Sequence, residues 1–187
     1  MSHETFLKNL KDCENCELKK TAFQPVPGHG PIPNKIMFIG EAPGRDEDLQ
    51  GLPFVGAAGK VLTKCLINAG INREQVYITN VVKHRPPENR IPSKEEVSSC
   101  GSWLDWEINN VNPSIIVCLG NSSVNRIFEK FGITKQPISM IRGTPIKIKT
   151  ITGQRIIFPT FHPAATIYNQ SLKETFIQDL RKILTLI

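Results

Sequence analysis

No stretch of the 187 residues approaches the ~18–20 consecutive apolar side chains that a membrane-spanning helix needs. The first residues, Met1-Ser2-His3-Glu4-Thr5, lack the basic flank and apolar stretch of a secretory signal. There is no internal repeat, low-complexity tract or obvious linker. The phosphate loop Gly-x-x-x-x-Gly-Lys-Ser/Thr is missing, which disfavours a nucleotide triphosphatase. The chain therefore reads as one soluble, cytoplasmic domain over residues 1–187, with no membrane partner.

Hydrophobic content of 40% and charged content of 21% are ordinary for a globular protein, and the length permits a sizeable core. Lys and Arg number 23 against 17 Asp and Glu, a net charge of +6. That balance suits a polyanionic partner, because a cation placed at a phosphate releases counterions. Charge supports such a reading without carrying it.

Five cysteines is an odd number, and a disulfide framework is a poor reading for a cytosolic chain. Cys65 falls in the helically spaced stripe Ala58, Val61, Leu62, Cys65, Leu66, Ala69. Cys118 sits inside the buried-strand pattern Ile115-Ile116-Val117-Cys118-Leu119. Both read as core. Cys13, Cys16 and Cys100 remain as candidate ligands of an iron–sulfur cluster or of zinc, between which spacing does not decide. A fourth ligand is then needed, and His84 is the one soft donor in the Pro-rich loop that precedes Cys100.

Strand patterns at 34–40, 76–80, 114–119 and 156–160 alternate with helical patterns at 58–69, 94–109, 122–131 and the C-terminal segment carrying Leu172, Phe176, Leu180 and Ile183. A short helix over 4–12 leads into the Cys pair. Ser93 and Glu96 form a capping box, and residues 138–151 alternate as a hairpin would. We expect an α/β fold, a four-stranded parallel sheet with helices on both faces and an N-terminal metal-anchored segment. Gly40, Asn80, Gly120 and Phe161-His162 then lie at strand carboxyl ends, where sites form in such sheets.

Those ends carry chemistry. The loop Gly40-Glu41-Ala42-Pro43-Gly44 can bring backbone N–H groups close to a ligand. Phe54, between Gly51 and Gly56, can present a stacking face. The amide of Asn80 can donate to O4 and accept from N3–H of uracil, a pattern cytosine reverses. His162 can donate to a base oxygen as negative charge develops on it. Glu41 is the acid chosen to hold water or to face a sugar cation, with Asp46, Glu47 and Asp48 next. The inventory fits an enzyme that takes one base out of DNA.

In order along the chain, these motifs resemble the family 4 uracil-DNA glycosylases, the iron–sulfur branch of their superfamily. The similarity covers roughly residues 5–185 and rests on Gly40-Glu41-Ala42-Pro43-Gly44, Pro53-Phe54-Val55-Gly56, Thr79-Asn80-Val81-Val82-Lys83 and His162-Pro163. The resemblance implies excision of uracil from double- or single-stranded DNA by a monomer, leaving an abasic site. It also implies uracil binding by Gly40, Glu41, Ala42, Phe54, Asn80 and His162; Glu41, chosen from the residues, and His162 are the expected catalytic pair.

One departure stands out. The family places a cysteine, as third ligand of a 4Fe–4S cluster, where this chain has His84 in the run Lys83-His84-Arg85-Pro86-Pro87. The resemblance thus implies a cluster held by Cys13, Cys16, His84 and Cys100, with a three-iron cluster, a non-protein ligand or zinc as alternatives. A covalent uracil-DNA binder, a zinc-stabilised DNA-binding module without catalysis and a thiol-redox protein are competing readings. Release of free uracil separates the enzyme from all three. Ile167 and Tyr168, just past His162, are candidates for the wedge that holds the gap in DNA.

Overall fold

The apolar residues that alternate along the strands sort into two buried layers in the computed structural model, which describes residues 1–187. In β1 (Ile36–Gly40), Met37 and Ile39 face one layer while Ile36 and Phe38 face the other. In β3 (Ile115–Leu119), Ile116 and Cys118 oppose Ile115, Val117 and Leu119 in the same way. The period of two places both faces of each strand in the core, as a doubly covered parallel sheet requires.

Helices α1 (His3–Lys11), α2 (Leu18–Thr21), α3 (Arg45–Gln50), α4 (Ala57–Ala69), α5 (Lys94–Val111), α6 (Asn121–Lys130), α7 (Ile138–Ile141) and α8 (Gln170–Leu184) surround the sheet. Leu104, Ile108 and Val111 of α5 and Val124, Ile127 and Phe128 of α6 cover one face. Leu62, Cys65 and Leu66 of α4 and Phe176, Leu180 and Ile183 of α8 cover the other. Cys65 and Cys118 are buried in these layers, as their spacing suggested.

The sheet has five strands, not four. Its order is β2 (Tyr77–Asn80), β1, β3, β5 (Gly153–Thr160), β4 (Ile146–Thr150), with β4 antiparallel to β5 and the other neighbours parallel. The extra strand comes from the alternating segment expected as a hairpin. That hairpin is shifted toward the C-terminus, with Ile146–Thr150 turning into Gly153–Thr160, while Ile138–Ile141 forms a helical turn. Lys147 and Lys149 point outward from β4, and charge on an edge strand discourages pairing with another chain.

Ser93 accepts from Glu96 N–H and Glu96 returns a bond to Ser93 N–H, the expected capping box of α5. At the N-terminus, Phe6 of α1 stacks on Trp106 of α5 with centroids 4.0 Å apart, and Trp103 meets it edge-on. Phe6 and Leu10 share that interface because their spacing repeats the helical period, and Cys13, just past the end of α1, joins them against Trp103. This docking carries Cys13 to α5, the helix that bears Cys100.

Candidate active site

The carboxyl ends of β1, β2, β3 and β5 open into a cleft of about 630 Å³, and Glu41, Ala42, Phe54, Asn80 and His162 all line it. Gly40 lies beneath. A side chain on Gly40 would collide with Asn80 Oδ1 and the edge of the Phe54 ring, so only glycine leaves room for both. Gly40 and Asn80 are direct partners in the parallel register of β1 and β2. Asn80 is 2% exposed, and its Oδ1 is buried without a hydrogen-bond partner in the protein. A buried acceptor left open at the floor of a cleft is suited to a ligand donor.

Phe54 has φ of 54°, a left-handed backbone that costs a bulky residue roughly 1–3 kcal/mol. Its neighbours hold it there. Arg73 Nη2 donates to Pro53 O at 2.9 Å, and Glu47 Oε1 accepts from Val55 N (2.8 Å) and Gly56 N (2.7 Å). Gly59 of α4 lets the Phe54 carbonyl approach where a Cβ would block it. The ring belongs to the apolar layer under α4 on one side and to the cleft on the other. It lies 5.8 Å from the His162 ring, centroid to centroid, at 36°.

His162 follows β5. Its Nδ1 accepts from Ala164 N at 3.2 Å, so a neutral ring carries its proton on Nε2. Burial pushes its pKa down to about 4, against a weaker upward pull from Glu47. At neutral pH the ring is therefore an uncharged N–H donor.

The acids separate by their bonds. Glu41 is half-buried and accepts a short hydrogen bond from the Ser122 hydroxyl at the start of α6. Glu47 is fully engaged, since besides Val55 and Gly56 it accepts from Gly44 N at 3.1 Å. Asp48 accepts from Phe23 N (3.0 Å) and Gln24 N (3.3 Å). Both brace loops through backbone N–H groups, and Glu47 also lines the cleft. Asp46 is exposed at the cleft wall. Ile167 also lines the cleft, and Tyr168 is exposed beside it.

Sequence reasoning passed over Ser122, Arg73 and the cleft residues Asn89, Arg90 and Ile91. Positive φ at Glu88 and Asn89 was a signal no residue type announced. Arg90 and Glu96, paired at 2.6 Å, fasten that loop to α5.

The expected metal ligands gather only in part. No group of three or more His, Cys, Asp or Glu side chains has metal-binding spacing. All three candidate cysteines are free thiols, and Cys13 Sγ accepts from Trp103 Nε1 at 3.2 Å. Burial pushes the Cys100 thiol up to about 12, while the Lys83 backbone N–H pulls it down and like charge on Cys16 and Cys13 raises it. His84 is 2% exposed, and neither ring nitrogen has a hydrogen-bond partner. Burial and the Lys19 charge lower its pKa, keeping the ring neutral and able to ligate. The thiols of Cys13, Cys16 and Cys100, within reach of one another's charge, and an orphaned imidazole are donor types that an iron–sulfur centre takes.

The family model of the Uracil DNA glycosylase superfamily matches residues 27–184. The chain is 43% identical over 182 residues to a type-4 uracil-DNA glycosylase of Archaeoglobus fulgidus, covering 97% of this chain and 92% of that protein. It is 44% identical over 183 residues to one from Sulfurisphaera tokodaii, covering 97% and 83%. One from Thermotoga maritima is 41% identical over 183 residues, covering 96% and 91%.

Proposed function

The chain belongs to the uracil-DNA glycosylase superfamily, and from that premise we propose how its own residues remove uracil from DNA. The observation that carries the assignment is the convergence of Asn80 Oδ1, the Phe54 ring and the His162 ring on one cleft above Gly40.

A base in a duplex must leave the stack before its glycosidic bond is accessible. In the cleft, the flipped uracil stacks on Phe54. Asn80 accepts from N3–H through its open Oδ1 and donates to O4 through Nδ2. Cytosine offers no N3–H and places a second donor against the amide, which leaves buried groups unpaired. His162 Nε2–H donates to uracil O2, where negative charge builds as the C1′–N1 bond breaks. A neutral imidazole with a fixed tautomer does this without any proton changing hands in the enzyme.

Glu41 faces the opposite charge. Positive charge grows on the sugar, and a carboxylate held by Ser122 stabilises it or orients the attacking water. The backbone of Gly40 to Ala42 approaches the base from the β1 side. Water completes the reaction at C1′, giving free uracil and an abasic site. The net charge of +6 favours capture of both double- and single-stranded DNA. No helix is long and apolar enough to cross a membrane.

Cys13, Cys16, Cys100 and His84 are the residues that would hold a 4Fe–4S cluster. Such a group supplies cross-linking between the segment after α1, the Pro-rich loop and α5, ordering the loop that lines the cleft. Incubation of the purified protein with a single-uracil oligonucleotide, followed by quantitation of free uracil, tests the activity. Retention of all uracil in the strand would contradict it.

A further inference from the structure

Lys83 and Glu107 form an ion pair with no exposed surface, and we propose that it is a positioning device that aims Asn80 at the base. The inference rests on the reading that Asn80 meets uracil. Lys83 Nζ donates to Glu107 Oε2 at 2.6 Å, to Thr79 Oγ1 at 2.7 Å and to the backbone carbonyl of Asn80 at 2.7 Å. Those bonds use all the protons of the ammonium. Glu107, on α5, also accepts from Gly28 N at 2.7 Å, Thr79 Oγ1 at 2.8 Å and Tyr77 OH at 3.3 Å.

Stability alone is a weak reason for such a pair. Apolar residues of similar volume often serve a core as well, because two ions lose their hydration on burial. What an apolar pair cannot do is hold a carbonyl oxygen. Asn80 needs that hold, because its Oδ1 has no protein partner and must be left open for the ligand. The aim of the side chain is then inherited from its backbone. On the β1 side, pairing with Gly40 fixes that backbone. On the far side, the carbonyl is fixed by Lys83.

Lys83 is itself anchored. Its carbonyl accepts from Val26 N at 2.7 Å, and its backbone N–H faces the Cys100 sulfur. The residue therefore joins three places: the N-terminal segment, the thiol-bearing helix α5 and the base reader. Its identity within Thr79-Asn80-Val81-Val82-Lys83 is accounted for by this link, not by contact with substrate, since Lys83 does not line the cleft.

The test is the double variant Lys83→Met with Glu107→Gln. Met fills the volume of the Lys stem. Gln keeps an acceptor for Gly28 N–H and Tyr77 OH and an amide for the Thr79 hydroxyl, so the hold on the Asn80 carbonyl is the main loss. Single-turnover release of uracil should fall roughly tenfold to a hundredfold, the usual cost of a misplaced reacting group. The melting temperature and the affinity for DNA carrying a tetrahydrofuran abasic analogue should stay near wild type, because that analogue has no base for Asn80 to read. Added to Asn80→Ala, the same pair of changes should produce no further loss.

A wild-type rate in the double variant, with Asn80→Ala impaired, would overturn the positioning role and leave base reading intact. A wild-type rate in Asn80→Ala would overturn the base reading and the inference with it. Parallel losses of melting temperature, abasic-DNA affinity and rate, additive with Asn80→Ala, would reduce the pair to a structural one and overturn the proposal. If the double variant does not fold, Lys83→Leu with Glu107→Gln removes the same hold on the Asn80 carbonyl with a different apolar side chain. It should show the same fall in rate with abasic-DNA affinity intact, and a wild-type rate there would also overturn the proposal.

Discussion

Asn80 Oδ1 occupies the space that a side chain on Gly40 would need. Two residues from adjacent strands thereby define the floor of the cleft, one by supplying an amide and the other by supplying no side chain. Gly40→Ala should displace both the amide and the Phe54 ring while leaving the sheet register intact. Uracil release should fall at least as much as for loss of Phe54, with the melting temperature reduced only modestly. Comparison of single-turnover rates with thermal unfolding checks this.

Phe54→Ala removes one base stack, worth ~1–3 kcal/mol, and should weaken uracil excision roughly tenfold to a hundredfold. The effect should be alike opposite guanine and adenine, since in the proposed complex the ring meets the flipped base and not the base left behind. The variant also leaves a gap in the apolar layer under α4, so some loss of stability accompanies it. A rate unchanged under saturating enzyme would remove Phe54 from the account.

His162 should titrate near pH 4 instead of near its ordinary value of 6.5. A rate profile at saturating enzyme should then show no His162 inflection between pH 5.5 and 8, and NMR titration of the ring reads the value directly. The sign for stability follows from linkage. The unfolded chain takes up a proton on this ring below about 6.5 while the folded one does not until about 4. The stabilising contribution is full above pH 6.5 and is lost as pH falls toward 4. His162→Gln should flatten part of that slope. At neutral pH, His162→Ala should slow the chemical step roughly a hundredfold to a thousandfold.

Protein isolated without oxygen should be brown and carry iron. Imidazole is neutral where thiolate is anionic, so a cluster with His84 as ligand has a higher reduction potential than one with four cysteines. His84→Cys should lower that potential and slow iron loss in air, with excision retained. Visible absorption, iron analysis and redox titration measure these outcomes. A centre holding zinc alone after anaerobic preparation would contradict the assignment.

The elements with strong periodicity are legible in the sequence. Met37 and Ile39 against Ile36 and Phe38, the Ser93–Glu96 box and the stripe through Leu62 and Leu66 each announce an element by local rules. So is the place of Asn80 and His162 in the cleft, because strand ends collect sites, and of Phe54, an aromatic set between Gly51 and Gly56. The edge strand Ile146–Thr150 was half legible, since a hairpin pattern does not say which residues turn. Short helices such as Leu18–Thr21 and Arg45–Gln50 have too few turns to show a period. The work of Glu47, Arg73 and Glu107 was not legible at all. Their partners lie at unrelated positions in the chain, such as Gly28 and Glu107, and only the folded backbone brings them together.

Base reading by Asn80 is the centre of the account, and Asn80→Asp tests it most directly. The change turns the amide donor that faces O4 into an acceptor at constant size. The measurement is free uracil released in a single turnover from a single-uracil oligonucleotide, by wild type and variant at saturating enzyme. The wild type should release uracil, and the variant should be slower by orders of magnitude, because buried oxygens would face each other. Near-normal release by Asn80→Asp would contradict the account.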